Sequence, residues 1–283
     1  MTNEYDRIRF GIIAEIHRAA AGSPRLSWHN ELLLDRTEEL LDLAIAKIEL
    51  ANVDNLILLG DLTNGADDAS FGTVLSAVSK TGIPVLAVPG NHDIAMPGGM
   101  TRFGHRLQGS EVTAAPAALR EAGATPVVLI GIERDRITNR LQSSSFPDPS
   151  PYNGETLIVF SHFPLLAMTE RLNDAGFKHA GDLSDRQEIT DQLLRHDGPV
   201  IVVHGHLHVR ASAVEGNMLH LSCAALVEPP HEVSVVSVAG YDTGNPAVRM
   251  ESTSIMTSNV NRLHVLDPAE QDWRYTDNGW SRS

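Results

Sequence analysis

The sequence predicts an α/β fold with mixed sheets. Its first third alternates strand, helix, strand, helix, strand, and its last third breaks into short stretches of alternating polarity. Residues able to bind metal recur where the apolar strands stop. The first pattern belongs to a parallel sheet covered by helices and the second to antiparallel hairpins, so both strand directions are expected.

Arg9 to Ile13 (RFGII) is a short apolar run with β character. Asp35-Arg36-Thr37-Glu38 has the spacing of a capping box. After it, Leu40, Leu41, Ala44, Ile45 and Ile48 recur at helical intervals to about Ala51. Asn55 to Leu59 (NLILL) is apolar after its first residue, as a strand buried on both faces is. A helix over Ala69 to Lys80 and a strand over Ile83 to Val88 follow. Asp93 to Gly109, with four glycines and Pro97, reads as a surface loop. Further strands are expected at Pro126 to Ile132, Thr156 to Phe160 and Pro199 to Val203. A Ser/Pro-rich connector spans Ser143 to Pro151, and a helix spans Ser184 to Arg195. Met218 to Leu221 and Val233 to Val238 alternate like hairpin strands. Residues 1–253 are expected to form one domain, followed by a polar tail over 254–283 (docked or flexible) that holds Trp273, Tyr275 and Trp280.

The composition narrows the class. A chain of 283 residues with 42% hydrophobic residues can bury a large core, and 20% charged residues argue against disorder. The net charge of −14 repels a phosphate backbone, so a nucleic-acid polymer is not expected as a partner. Cys223 is the single cysteine, which rules out an intramolecular disulfide and thiolate zinc clusters. Residues 1–7 are polar, and no run nears the roughly 18 apolar residues of a membrane span. No membrane association is therefore expected, and a reducing, cytoplasmic location is. The oligomeric state stays open, a homodimer being one option.

Five blocks sit at strand ends: Glu15-Ile16-His17, Gly60-Asp61-Leu62-Thr63-Asn64, Gly90-Asn91-His92-Asp93, His162, and Gly205-His206-Leu207-His208. Ligands of α/β sheets bind at the carboxyl ends of strands, which brings these five loops to one place. Imidazoles suit zinc, iron and manganese, while carboxylate and amide oxygens suit harder ions. A carboxylate such as Asp61 can give one oxygen to each of two cations. Two cations about 3.5–4 Å apart can clamp the attacking and leaving oxygens of an in-line displacement and acidify a bound water. That help suits an ester whose phosphorus is already surrounded by negative charge.

From about Ile8 to His208 these blocks resemble the calcineurin-like metallophosphoesterases, whose pattern is Asp-x-His, Gly-Asp-x-x, Gly-Asn-His-Asp/Glu, a lone His, and Gly-His-x-His. GDLTN and GNHD make the chain most similar to the class III cyclic-nucleotide phosphodiesterases. The resemblance implies two mixed sheets packed face to face with helices outside, a four-layer sandwich. It implies two divalent or trivalent transition metal ions (Mn, Fe or Zn). Glu15, His17, Asp61 and His208 would bind the first, and Asp61, Asn91, His162 and His206 the second. His92 would contact the phosphate, and Asp93 would orient His92. Glu15 stands where the family has Asp, and Asn64 where its closest members have Asp.

The implied activity is hydrolysis of a small-molecule phosphate ester, with a cyclic-nucleotide-like diester preferred slightly over a monoester. A non-catalytic metal-binding scaffold is the alternative of a different class. Outside the blocks, His204 is expected to point away from the site, and Arg18 to be solvated. His29, His105, His179, His196, His220, His231 and His264 are read as surface or loop residues, Pro229-Pro230-His231 as a turn, and Met96 and Met100 as a pocket mouth.

Overall fold

The computed structural model describes residues 7–20, 32–96, 98–108, 110–121, 125–177, 181–256 and 264–283. His29, His179, Pro97 and much of the 18–34 loop lie outside them. The alternation read in the first third is present as β1 (Arg7–Ile13), α1 (Thr37–Ala51), β2 (Asn55–Leu59), α2 (Asp68–Val78) and β3 (Val85–Val88). Then follow α3 (Gly99–Leu107), β4 (Val112–Ala114), β5 (Ala117–Glu121), β6 (Thr125–Leu129), β7 (Gly131–Arg134), β8 (Leu141–Ser145), β9 (Leu157–Ser161), α4 (Thr169–Asp174), α5 (Arg186–Leu194) and β10 (Val200–His204). The chain ends in β11 (Ala211–Glu215), β12 (Met218–Ser222), β13 (Glu232–Ala239), β14 (Ala247–Ser254), β15 (Glu270–Thr276) and β16 (Gly279–Arg282).

Two large mixed sheets result. One has the order β16-β15-β14-β13-β1-β2-β3-β4 and the other β11-β12-β10-β9-β6-β5, while β7 and β8 form a separate hairpin. In the first sheet β1, β2, β3 and β4 run parallel, and β13 joins β1 antiparallel. In the second, β6, β9, β10 and β12 run parallel. The sheets face each other across one core, in which Phe10, Ile12, Ile57 and Leu59 meet Leu129, Ile158, Phe160, Ile201 and Val203.

On the outer face of the first sheet, Leu41 and Ile48 of α1, Phe71 and Val74 of α2, and Phe103 and Leu107 of α3 cover Ile13, Leu56, Leu58 and Ala87. On the second sheet, Ile189 and Leu193 of α5 cover Val159, Val200 and Val202. The four layers explain why β2, β9 and β10 are buried at every position and apolar at all but one each (Asn55, Ser161 and His204): both faces are covered. Among the described residues, no helix is long and apolar enough to cross a membrane.

Several expectations are corrected. The capping box does not form. Asp35 lies in a 3₁₀ turn over Leu34–Arg36, and α1 starts at Thr37 without a side-chain cap. Glu38, the other half of the box, pairs with Arg18 instead, so Arg18 is not simply solvated. The Gly/Pro-rich stretch after Asp93 is not all loop, since α3 occupies Gly99–Leu107. Met100, Phe103 and Leu107 pack inward from it at helical spacing, a signal the glycines mask. Met100 therefore serves the core rather than a pocket mouth.

Pro126 to Ile132 is not one strand. It breaks at Ile130, after which β7 pairs with β8, and β8 itself occupies the start of the supposed connector. In the C-terminal stretch, β15 and β16 extend the first sheet, and Trp273 and Trp280 bury their rings in the inter-sheet core.

Candidate metal centre

The five blocks leave β1, β2, β3, β9 and β10 at their carboxyl ends, three on one sheet and two on the other. Short backbone links hold them in register. Glu15 N donates to Gly60 O, His17 N to Asp61 O (2.8 Å), and Gly205 N to His162 O. The two sheets meet through His162 Nδ1, which lies 3.1 Å from Leu59 O.

The backbone at these strand ends is unusual. Glu15, His17, Asp61, His206 and His208 have φ of 56°, 46°, 48°, 62° and 55°. A left-handed φ costs a residue with a side chain on the order of 1–3 kcal/mol and persists only where the surroundings impose it. Five of the nine motif residues carry that cost. A Cβ at Gly90 would collide with the carboxylate and the amide of Asp61, so only glycine lets the two loops approach.

All nine side chains read from the motifs come together. Glu15 Oε2 is 3.2 Å from His17 Nε2 and 3.0 Å from His208 Nε2. Asp61 Oδ2 is 3.6 Å from His17 Nε2 and 3.5 Å from His162 Nε2. Asn91 Oδ1 is 3.2 Å from His162 Nε2. The His206 ring lies 5.1 Å from that of His162 and packs on Phe163. Three donor groups gather within metal-binding reach: Glu15/His17/His208, His17/Asp61/His92 and Glu15/Asp61/His162.

Two details depart from expectation. Glu15 is not confined to one half of the site, since its Oε1 is 3.4 Å from His162 Nδ1 and accepts the backbone N–H of His206. The methylene that distinguishes it from Asp carries the carboxylate between the halves. Asp93 does not reach the His92 ring. Its carboxylate accepts Gly90 N (2.9 Å), Leu62 N (3.1 Å), Thr63 N (2.9 Å) and Thr63 Oγ1 (3.1 Å), so it ties the β2 loop to the β3 loop. The His92 ring is set instead by Asn64 O, 2.9 Å from Nδ1, while His92 N donates to Asp61 Oδ1 at 2.8 Å.

The electrostatics follow from two buried carboxylates side by side. Burial alone would raise the Glu15 carboxyl, but the imidazoles of His162 and His208 prevail and hold it well below the usual range. Asp61 is lowered against burial in the same way, chiefly by His162. In return, and against the effect of burial, Asp61 and Glu15 raise His162 to about 9, while Glu15 and Glu228 raise His208 to about 10. Burial drives His206 the other way, to about 3, with His162 adding to the shift.

Paired buried anions of this kind require positive charge beside them. Imidazolium can supply it, and bound cations supply more. His17 Nδ1 and His206 Nε2 are buried with no hydrogen-bond partner among the described residues. Imidazole, amide and carboxylate donors with unpartnered nitrogens among them fit transition metal ions.

The sequence reading missed several contributors. Glu228 Oε2 lies 2.6 Å from His208 Nδ1, and His264 approaches both residues. Neither belongs to a strand-end block, so no local signal marks them. His220 is not a surface residue. It is buried in β12, accepts Leu165 N at Nε2 (3.0 Å) and stacks on His204, whose ring centroid is 4.5 Å away. His196 and His231 are buried as well.

Residues 8–210 match the pattern of the family described as calcineurin-like phosphoesterase. A Synechococcus sp. protein described as a probable cyclic nucleotide phosphodiesterase is 27% identical over 176 residues, which is 61% of this chain and 64% of that protein. The match thus spans less than two thirds of the relative's length. Among solved structures, a dimetal phosphatase from Danio rerio superposes with a TM-score of 0.66 at 15% identity, covering 88% of this chain and 96% of that one. A Thermus thermophilus protein, TT1561, gives 0.55 at 12% identity, covering 88% and 99%. These likenesses establish the shared fold.

Proposed function

The chain belongs to the calcineurin-like phosphoesterase family, and on that premise we propose that it hydrolyses a phosphate ester of a small molecule at a dinuclear metal centre. We assign Glu15, His17, Asp61 and His208 to one cation, and Asp61, Asn91, His162 and His206 to the other. The observation that carries this reading is the position of Asp61. Its Oδ2 stands 3.6 Å from His17 Nε2 and 3.5 Å from His162 Nε2, one oxygen between the imidazoles of the two sets. The donor types suit Mn, Fe or Zn. When bound, two such cations supply Lewis acidity toward the ester oxygens and a water acidified into the neutral range.

The side chains of the protein orient and move protons. The Leu59 carbonyl takes the Nδ1–H of His162 and so presents Nε2 to the centre. With Nδ1 committed to Asn64 O, His92 meets a substrate through Nε2, where it steadies a phosphate oxygen or protonates the leaving oxygen. The Synechococcus relative is described as a probable cyclic nucleotide phosphodiesterase. We therefore favour a phosphodiester of the cyclic-nucleotide kind. The single cysteine is buried and free, which suits a reducing compartment such as the cytoplasm.

The test is a panel of cyclic and linear diesters and of monoesters, offered to protein loaded in turn with Mn, Fe and Zn. Faster turnover of diesters is expected. A preference for monoesters would replace the substrate class while keeping the centre. If no phosphate ester is hydrolysed with any of the three metals, the reading gives way to a non-catalytic scaffold.

A further inference from the structure

His208 is held from behind. Its Nδ1 lies 2.6 Å from Glu228 Oε2, so the Nδ1–H donates to that carboxylate and Nε2 is the nitrogen turned to Glu15 Oε2, 3.0 Å away. Glu228 belongs to the connection between β12 and β13, and its side chain is 13% exposed. The same oxygen is 3.4 Å from His264 Nδ1, which in turn lies 3.1 Å from His208 O.

The C-terminal segment is laid along this loop. Arg210 N donates to His264 O (2.9 Å), Leu266 N donates to Arg210 O (2.9 Å), and Arg210 and Val265 form a parallel bridge. Asp267 then accepts Ser212 N (2.6 Å) and Ser212 Oγ (2.7 Å), anchoring the segment to β11.

We propose that Glu228, backed by His264, is a positioning residue for His208 that sets the affinity of the centre for its first cation. The inference rests on the dinuclear reading above. A carboxylate on the rear nitrogen of a ligating imidazole fixes the tautomer and the ring angle and raises the basicity of the front nitrogen. Glu228 is the acid so placed here, and it contacts none of the other eight motif side chains by a hydrogen bond or ion pair among the described residues. A single nitrogen, His264 Nδ1, lies against both the Glu228 carboxylate and the His208 carbonyl, and so ties the C-terminal segment to the acid and to the loop end it backs. Both residues come after the last motif in the chain, and the fold returns them to it.

The test titrates the full-length protein, freed of metal, with Zn²⁺ alone against a competing chelator, for wild type, Glu228→Ala, Glu228→Gln and His264→Ala. Wild type is expected to take up two ions. Glu228→Ala should weaken one of the two by about 10–100-fold, with the other ion and the melting temperature of the metal-free protein unchanged. Glu228→Gln keeps an acceptor oxygen and should fall between the two, and His264→Ala should weaken the same ion less. If Glu228→Ala binds both ions as wild type does, the positioning role is overturned and the centre stands. If it loses both affinities along with metal-free stability, the contact is merely structural and the role is overturned again. A wild type that takes up fewer than two ions overturns the centre and this inference together.

Discussion

Glu15 Oε2 lies 3.0 Å from His208 Nε2, while the other oxygen of the same carboxylate accepts the backbone N–H of His206. One side chain thus lines the proposed position of the first cation and holds the loop that carries one proposed donor to each cation, His208 to the first and His206 to the second. Glu15→Ala should bind one ion in place of two, and Glu15→Asp should bind two with a changed preference among Mn, Fe and Zn. Metal content after exhaustive dialysis checks both. A Glu15→Ala protein with unchanged metal content and rate would make the side chain a bystander.

His92 donates its backbone N–H to Asp61 and is assigned to neither cation, so it should matter to chemistry more than to folding. His92→Ala should lose about 10²–10⁴-fold in kcat with both metals and the melting temperature retained. The loss should be larger for alkyl esters than for activated aryl esters if the ring protonates the leaving oxygen. Equal losses point to phosphate binding, and full activity on every substrate removes His92 from the mechanism.

Asp93 should behave in the opposite way. Its carboxylate takes three backbone N–H groups and one hydroxyl, all buried. Asp93→Ala leaves those donors unpaired at about 1–3 kcal/mol for each group that water cannot reach. A drop in unfolding free energy on the order of 3 kcal/mol or more is expected in denaturant titration. Unchanged stability would contradict the tie between the two loops.

Cys223 gives a pH signature away from the motifs. Burial, more than any neighbour, pushes its thiol up to about 12, whereas an unfolded chain ionises it near ~8.5. The native state therefore holds the proton longer than the unfolded one, so this group removes stability as pH rises above about 8.5. Native protein at pH 8.5 should react with a thiol reagent only as fast as it unfolds. Rapid stoichiometric labelling without denaturant would contradict the burial.

The strand-end blocks were legible because each joins a largely apolar strand to side chains able to bind metal, and the parallel strands carry those donors to a common edge. Asp61, His162 and His206 need nothing further to be found. What the sequence hides is settled by tertiary choice. Glu38 has the spacing of a cap, yet the fold gives it Arg18 as a partner. The α3 helix is obscured by glycines at its start, although Met100, Phe103 and Leu107 mark its buried face. His220 reads as an isolated polar residue, and its partner, the backbone N–H of Leu165, comes from a distant part of the chain. Glu228 and His264 reach His208 through the return of β13 and the C-terminal segment, contacts that leave no local pattern.

The central claim is that Asp61 stands between two cations. Anomalous diffraction from crystals of the protein loaded with Zn²⁺ or Mn²⁺ tests it most directly. Two peaks about 3.5–4 Å apart are predicted, one beside Glu15, His17 and His208 and the other beside Asn91, His162 and His206, with Asp61 touching both. A single peak, or two peaks that Asp61 does not join, would contradict it.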